Sequence, residues 1–421
     1  MSQVPIDPSS SLSDAMAAAR RRHAAVRARS ISLAQVLSPE DQGVQSMPDA
    51  SPTKWHLGHT TWFFEAMLLG PHHPSYAPFD ARLAYLFNSY YESLGPRQPR
   101  SERGMLTRPA LDEVLAYRRH VDAAVDDLLA MLDERSAQKV LEMLELGLNH
   151  EQQHQELIVT DIVHAFSRNP LFPAFEPGDG LLLDPEPVGG APAEWIQHPG
   201  GVIDIGHDGP GFSFDNERPR HPVLLRPFAI SDRLVSNREY LAFVNDHGYK
   251  RPELWLSDGW AMLHASGWQS PGYWVSADSV LMPPTSPSTG WLEFGPLGLR
   301  PLDLGSAVTH ISFYEAAAYA HWAGARLPTE FEWEAAAGLP GMRQLANCAW
   351  QWTRSAYEPY PGFRPLQGAA AEYNGKFMVG QLVLRGASMA TPPGHARPSY
   401  RNFFPPATRW QIAGLRLAKD A

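Results

Sequence analysis

The chain has 421 residues, 44% hydrophobic and 19% charged, which is enough for two or three packed domains and too apolar for a disordered chain. Lys+Arg 35 against Asp+Glu 45 gives a net charge of −10, which argues against a general nucleic-acid binder with its basic footprint. One cysteine, Cys348, excludes an internal disulfide framework and any cysteine-rich zinc or iron–sulfur site, so a bound metal has to be held by His and carboxylate.

The N-terminus opens Met-Ser-Gln-Val-Pro and runs through polar residues to Arg20-Arg21-Arg22-His23. It has no apolar stretch of the kind a secretory leader needs, and no run in the chain approaches the ~20 apolar residues of a membrane helix. The expectation is a cytoplasmic protein with no membrane partner. Residues 1–168 read as helical. Apolar residues recur at three- and four-residue spacing over 14–37, 52–69, 111–132 and 136–166, which predicts a four-helix bundle. Residues 169–195 are rich in Pro and Gly and read as a linker. Residues 196–421 hold dense aromatics and short strand-like runs, with clear helical patterns only at 313–323 and 330–337. A compact α+β domain follows, giving an α+β chain overall.

The strongest chemical signal is LNHEQQHQELIVTDI. His150 and His154 are four apart on a predicted helix, so both imidazoles share one face, a turn apart, where they can hold one metal. Two solvated histidines are the bland alternative. The same residues read as H-E-x-x-H, the zinc-protease pattern. Its metzincin extension fails, because Leu157 and Thr160 stand where a Gly and a third His are needed. A third ligand is sought on a facing helix. SPTKWHLGHTTWFFEAMLL offers His56 and His59, flanked by Trp55 and Trp62, and spacing does not choose between them. Three neutral imidazoles suit Fe(II), Zn or Cu, and leave positions open for substrate and dioxygen or water. Gln153 lies three after His150 and can share the rim of the same site.

SPTKWHLGHTTWFFE, LFNSYYESLGPRQPRSERG and HEQQHQEL resemble the DinB-type half of the EgtB family, the sulfoxide synthases of ergothioneine biosynthesis. RPFAISDRLVSNREYLAFVNDHGY, VTHISFYEAAAYAHWAGARLPTEFEWEAAA, WQWTRSAY, VLRGASMATP and YRNFFPPATRWQIAGLRLA resemble its formylglycine-generating-enzyme-like half, a variant of the C-type-lectin fold. The resemblance runs through nearly the whole chain in the right order. It implies a non-haem Fe(II) enzyme that uses O2 to join a thiol, cysteine or γ-glutamylcysteine, to the imidazole of hercynine (Nα-trimethylhistidine) as a sulfoxide. Forming the C–S bond releases two electrons and oxidising sulfur releases two more, which together reduce one O2 to water without a separate reductant.

Carried over residue by residue, the resemblance makes His59, His150 and His154 the iron ligands and leaves His56 as a packing or supporting residue. Gln153 and Asn402 would orient hercynine. Tyr90 and Tyr91 match a tyrosine pair near the reacting centre, able to supply a proton. Asp49 and Arg100 would hold the ammonium and carboxylate of the amino acid. Phe403, Phe404 and Trp410 are candidate aromatic faces for the trimethylammonium. Phe404 stands where γ-glutamylcysteine-using branches carry an Asp, which favours cysteine. The chain departs from the family's RHPRPQRG at Gln98, Ser101 and Glu102, and from the pattern around VLRGASMATP at Ala387 and Met389. Formylglycine-generating enzymes bind copper through two cysteines, so the lone Cys348, expected to pack beside Trp350 and Trp352, excludes that activity. Sister readings on the same architecture are a selenoneine synthase or a histidine–cysteine sulfoxide synthase. Readings of another class are a DinB-type zinc thiol transferase, a zinc protease, or a non-catalytic binding module.

Overall fold

The computed structural model describes residues 12–279 and 289–421, so the start of the N-terminal segment expected to lack a leader, residues 1–11, lies outside it. Four long helices form the first half: α1 (Leu12–Ala34), α2 (Thr53–Phe63), α3 (Leu111–Met131) and α4 (Glu134–Ser167). Local chemistry sets their ends. Pro52 precedes α2 in an extended conformation, where its fixed φ and missing N–H cost nothing. The Asp133 carboxylate caps α4 by accepting from the backbone N–H groups of Arg135 and Ser136. Only Leu132 and Asp133 separate α3 from α4, so the two helices turn back on each other.

Leu33, Trp55, Val121, Val125, Leu128, Leu144, Leu148, Ile158 and Ile162 fill the space between the four helices. Burying each such side chain contributes about 1.5–3 kcal/mol. The basic run near the start lies on this bundle. Arg22 pairs with Glu145 of α4, Arg20 donates to the carbonyl of Asp126, and His23 is buried. Among the described residues no helix is long and apolar enough to cross a membrane.

Two glycines let helices approach closely. A Cβ on Gly147 would lie 2.5 Å from the Phe64 ring, and one on Gly58 would lie 2.2 Å from the ring of Phe87. Beyond Phe63, α2 widens into a π-helical turn, Phe64–Leu69. Such turns recur beside functional sites.

Beyond residue 194 the strands are short. Trp195–His198, Phe228–Ser231 and Ala418–Asp420 form an antiparallel trio with Phe228–Ser231 in the middle. A four-stranded sheet has the order Asn402–Phe404, Leu382–Gly386, Trp350–Ala356, Ala413–Leu415. Its last pair is parallel, with Ala413 opposite Trp350. Helices Phe313–Trp322 and Glu330–Ala336 lie where the sequence places them. Two more, Asn237–Asn245 and Ser257–Ser266, correct the expectation of only two. The first is short but carries a readable start signal, Ser236 capping Glu239 N–H. The second has no capping side chain and stops at Gly267, whose φ of 66° needs a glycine.

Buried charge fixes the sheet edge nearest the first half. Arg385 and Arg401 both reach the Glu330 carboxylate at 2.8 Å, and all three side chains are buried. Burial raises the Glu330 carboxyl's pKa, but the two guanidinium groups outweigh that and hold it below its ordinary value. The halves join along α4. Glu156 accepts from Trp350 Nε1 at 2.7 Å, Ser388 Oγ at 2.5 Å and Thr391 Oγ1 at 2.7 Å. The connecting segment also packs: Leu183 N–H donates to Met389 O and Val188 N–H to Gly305 O, each at 2.9 Å.

Candidate metal centre and substrate cavity

The four-residue spacing of α4 does what it predicts. His150 and His154 share a face, and their rings lie 4.6 Å apart. Opposite them α2 presents Trp55, His59 and Trp62 on one stripe, since i−4 and i+3 positions align on a helix. His59 is stacked between the two indoles, 4.7 Å from Trp55 and 5.6 Å from Trp62. One ligand atom each from His59, His150 and His154 falls within 4.8 Å of the others.

The donor set fits a divalent cation. His59 Nδ1 is 2.6 Å from the carbonyl of Phe87 and donates to it, which leaves Nε2 as a lone pair. That Nε2 faces His150 Nε2 at 3.2 Å. Two imidazole nitrogens so close, with no carboxylate between them, form a donor pair that one ion can share. Removal from water holds all three rings neutral. His59 is pushed well below the usual range by burial and by His150, His150 is lowered to about 3 by burial, and His154 falls by burial and by the other two rings. His59 and His150 are buried, while His154 is half-buried.

His56, the other candidate on α2, does not join the trio. Its Nδ1 lies 2.8 Å from His154 Nδ1 and its Nε2 lies 3.1 Å from Asp161 Oδ2. Asp161 also accepts from Ser51 N–H at 2.8 Å and from Trp410 Nε1 at 3.1 Å.

Glu151 corrects the protease reading. In H-E-x-x-H proteases the Glu serves as general base beside the metal. Here its carboxylate points away from the histidines, into the contact of α1 and α3, where it takes Arg27 Nη1 at 2.9 Å, Arg118 Nη2 at 2.8 Å and Ser30 Oγ at 2.6 Å. Burial opposes its charge, but Arg27 and Arg118 prevail and lower its pKa to about 2. A carboxylate so held is no base.

A cavity of about 670 Å³ opens beside the histidines, between the two halves of the chain. His150, His154, Asp49, Arg100, Tyr90, Gln153, Asn402, Phe403, Phe404 and Trp410 all line it. Asp49 and Arg100 are exposed, and Arg100 donates to the Asp49 carbonyl rather than to its carboxylate. Tyr90 stacks on Tyr91 with ring centroids 4.6 Å apart. Tyr91 is fully buried behind it, against Trp62 and Phe63, and does not reach the cavity wall. Gln153 is pinned from the second half, donating to Tyr400 OH at 2.7 Å and accepting from Tyr373 OH. Phe404 meets Trp410 edge-on at 5.6 Å, and Phe403 stacks on Tyr357 at 4.0 Å.

Sequence reasoning missed Arg103, Tyr373 and Asp161. Arg103 lies under the Trp55 ring, 3.4 Å from its centroid, and is 4% exposed. It donates to Ser51 Oγ and Ser89 Oγ, both at 3.0 Å, and no carboxylate pairs with it among the described residues. Burial and the nearby Arg100 and Arg97 lower its pKa to about 8. The three-residue rhythm Arg97, Arg100, Arg103 was its signal. Asp161 sits two turns after His154 on the same helix face. Tyr373 gave no signal, because it lies in a loop-rich stretch far along the chain. Cys348 is buried as expected, its thiol directed at the carbonyl of Glu186.

Comparison with known proteins agrees with this division. Residues 22–158 match the DinB superfamily, and residues 182–346 match the sulfatase-modifying factor enzyme 1-like domain. The chain is 30% identical to a hercynine oxygenase of Mycolicibacterium smegmatis over 426 residues, covering 89% of this chain and 92% of that protein. It is likewise 30% identical to the hercynine oxygenase of Mycobacterium tuberculosis, over 89% of this chain and 92% of that one. A formylglycine-generating enzyme of Thermomonospora curvata is 36% identical over 155 residues, 33% of this chain and 46% of that enzyme.

Proposed function

The chain belongs to the hercynine oxygenase family, a family of oxidoreductases, and on that premise we propose that it joins the sulfur of cysteine to the imidazole of hercynine as a sulfoxide, using Fe(II) and O2. The observation that carries this reading is the trio of imidazoles His59, His150 and His154, of which His150 and His154 reach the wall of a cavity lined by arginines and aromatic rings. Fe(II) would be held there by His59, His150 and His154, and would supply the redox chemistry with dioxygen beside the bound substrates.

The chain's own residues do the rest. Phe403, Phe404 and Trp410 offer ring faces to a trimethylammonium, which has no hydrogen to donate. Gln153, fixed at both ends of its amide by Tyr373 and Tyr400, and Asn402 orient the hercynine imidazole. Arg100 and Asp49 stand at the exposed edge for the amino acid's charged groups. Arg103 adds a buried cation that no carboxylate pairs with directly among the described residues, and a substrate carboxylate removes that cost. Of the Tyr90–Tyr91 pair, Tyr90 is the one at the cavity wall. Burial raises its pKa to about 12, so it carries its proton at neutral pH and can donate it. Tyr91, with its hydroxyl 3.5 Å from that of Tyr90, holds it in place.

The test is O2 uptake by protein loaded with Fe(II) without air, given hercynine and cysteine, with mass analysis of the product. One sulfoxide per O2, abolished in His59→Ala, is the expected result. Bound iron with neither O2 uptake nor sulfoxide would sink the proposal.

A further inference from the structure

Asp161 and His56 lie beside the trio, at the wall of the same cavity, and nothing above requires them. Both are buried, at 6% and 2% exposure. Asp161 Oδ2 lies 3.1 Å from His56 Nε2, and His56 Nδ1 lies 2.8 Å from His154 Nδ1. The chain of contacts therefore runs from the carboxylate through one imidazole to the nitrogen edge of the His154 ring and fixes the plane of that ring.

Asp161 is held in turn from two directions. Its Oδ2 takes Ser51 N–H, just ahead of α2, and its Oδ1 takes the indole N–H of Trp410, from the second half of the chain. We propose that Asp161 and His56 are positioning residues for His154, and that the indole N–H of Trp410 acts on the metal affinity through its contact with Asp161. The inference rests on the metal-binding reading of the trio. It predicts that a residue which never touches the metal governs how tightly it is held. Partners that orient a ligating histidine typically alter metal affinity 10- to 100-fold. A merely structural role for the same residues would lower stability and leave affinity alone.

The experiment is a Co(II) titration of the full-length apo-protein in the absence of air, read by absorbance and by competition with a chelator. Thermal melts of each variant run alongside. Asp161→Ala and His56→Phe are expected to weaken Co(II) binding about 10- to 100-fold. Trp410→Phe keeps a ring and most of the packing but removes the indole donor, and is expected to weaken it several-fold. Glu156→Ala loosens the same joint between the halves without touching the relay, and is expected to lower stability while leaving Co(II) affinity unchanged. Wild-type affinity in folded His56→Phe and Trp410→Phe overturns the proposal. So does an equal loss in Glu156→Ala, since general loosening would then explain everything. If the wild type binds no Co(II), the metal-site reading itself falls.

Discussion

His150 and Glu151 are neighbours in sequence and have opposite fates. One turns to the cavity side of α4 and the other into the bundle, because successive positions on a helix lie about 100° apart. Glu151 then meets two guanidinium groups, and a buried pair of this kind costs about 3–5 kcal/mol when one partner is removed. Glu151→Gln is therefore expected to lower the unfolding free energy by about that amount in urea denaturation at neutral pH. The pH dependence has a definite sign. The folded carboxyl titrates near 2 against an ordinary 4.5, so its contribution is present above about pH 4.5 and is lost as the pH falls towards 2. The wild type should lose stability across that window, and Glu151→Gln should lose less. At this scale the sequence was legible where spacing alone decides, as with His150 and His154. It could not show which face of α4 would meet arginine, because Arg27 and Arg118 arrive from helices far away in the chain.

The approach of α2 to α4 sets the separation of the histidines they carry. Gly147 lies three residues before His150, and Phe64 lies five after His59. Their contact is tight enough that any side chain at 147 has to move the ring or the helix. Gly147→Ala is expected to cost about 1–3 kcal/mol by overpacking. It should also reduce metal affinity, measurable in the same Co(II) titration. Long helices were readable because their apolar period persists over many turns and their caps are local. The short helices Asn237–Asn245 and Ser257–Ser266 and the three- to seven-residue strands carry too few periods to announce themselves. Their order comes from distant partners, as when Glu330 gathers Arg385 and Arg401.

The cavity exists only because two differently built halves meet. Glu156 is one polar joint, and the groups it accepts from, Trp350, Ser388 and Thr391, are buried. Glu156→Ala strands at least the indole donor, at a cost of about 1–3 kcal/mol. The expected signature is a denaturant transition that separates into two steps as the halves lose cooperativity. This joint was not legible in the sequence, since a single Glu two residues after His154 resembles any solvated helix position. The order of the two halves was legible, because each carries long motifs of its own. The three clustered histidines all come from the first 154 residues, while Phe403, Phe404 and Trp410 come from the end of the chain. On the proposed reading, the metal site and the groups that meet the amino acid's charges are encoded early in the gene, and the rings that meet the trimethylammonium late. Drift or recombination in the later stretch can retune what is bound while the metal trio is inherited intact, provided that the partners of Glu156 travel with it.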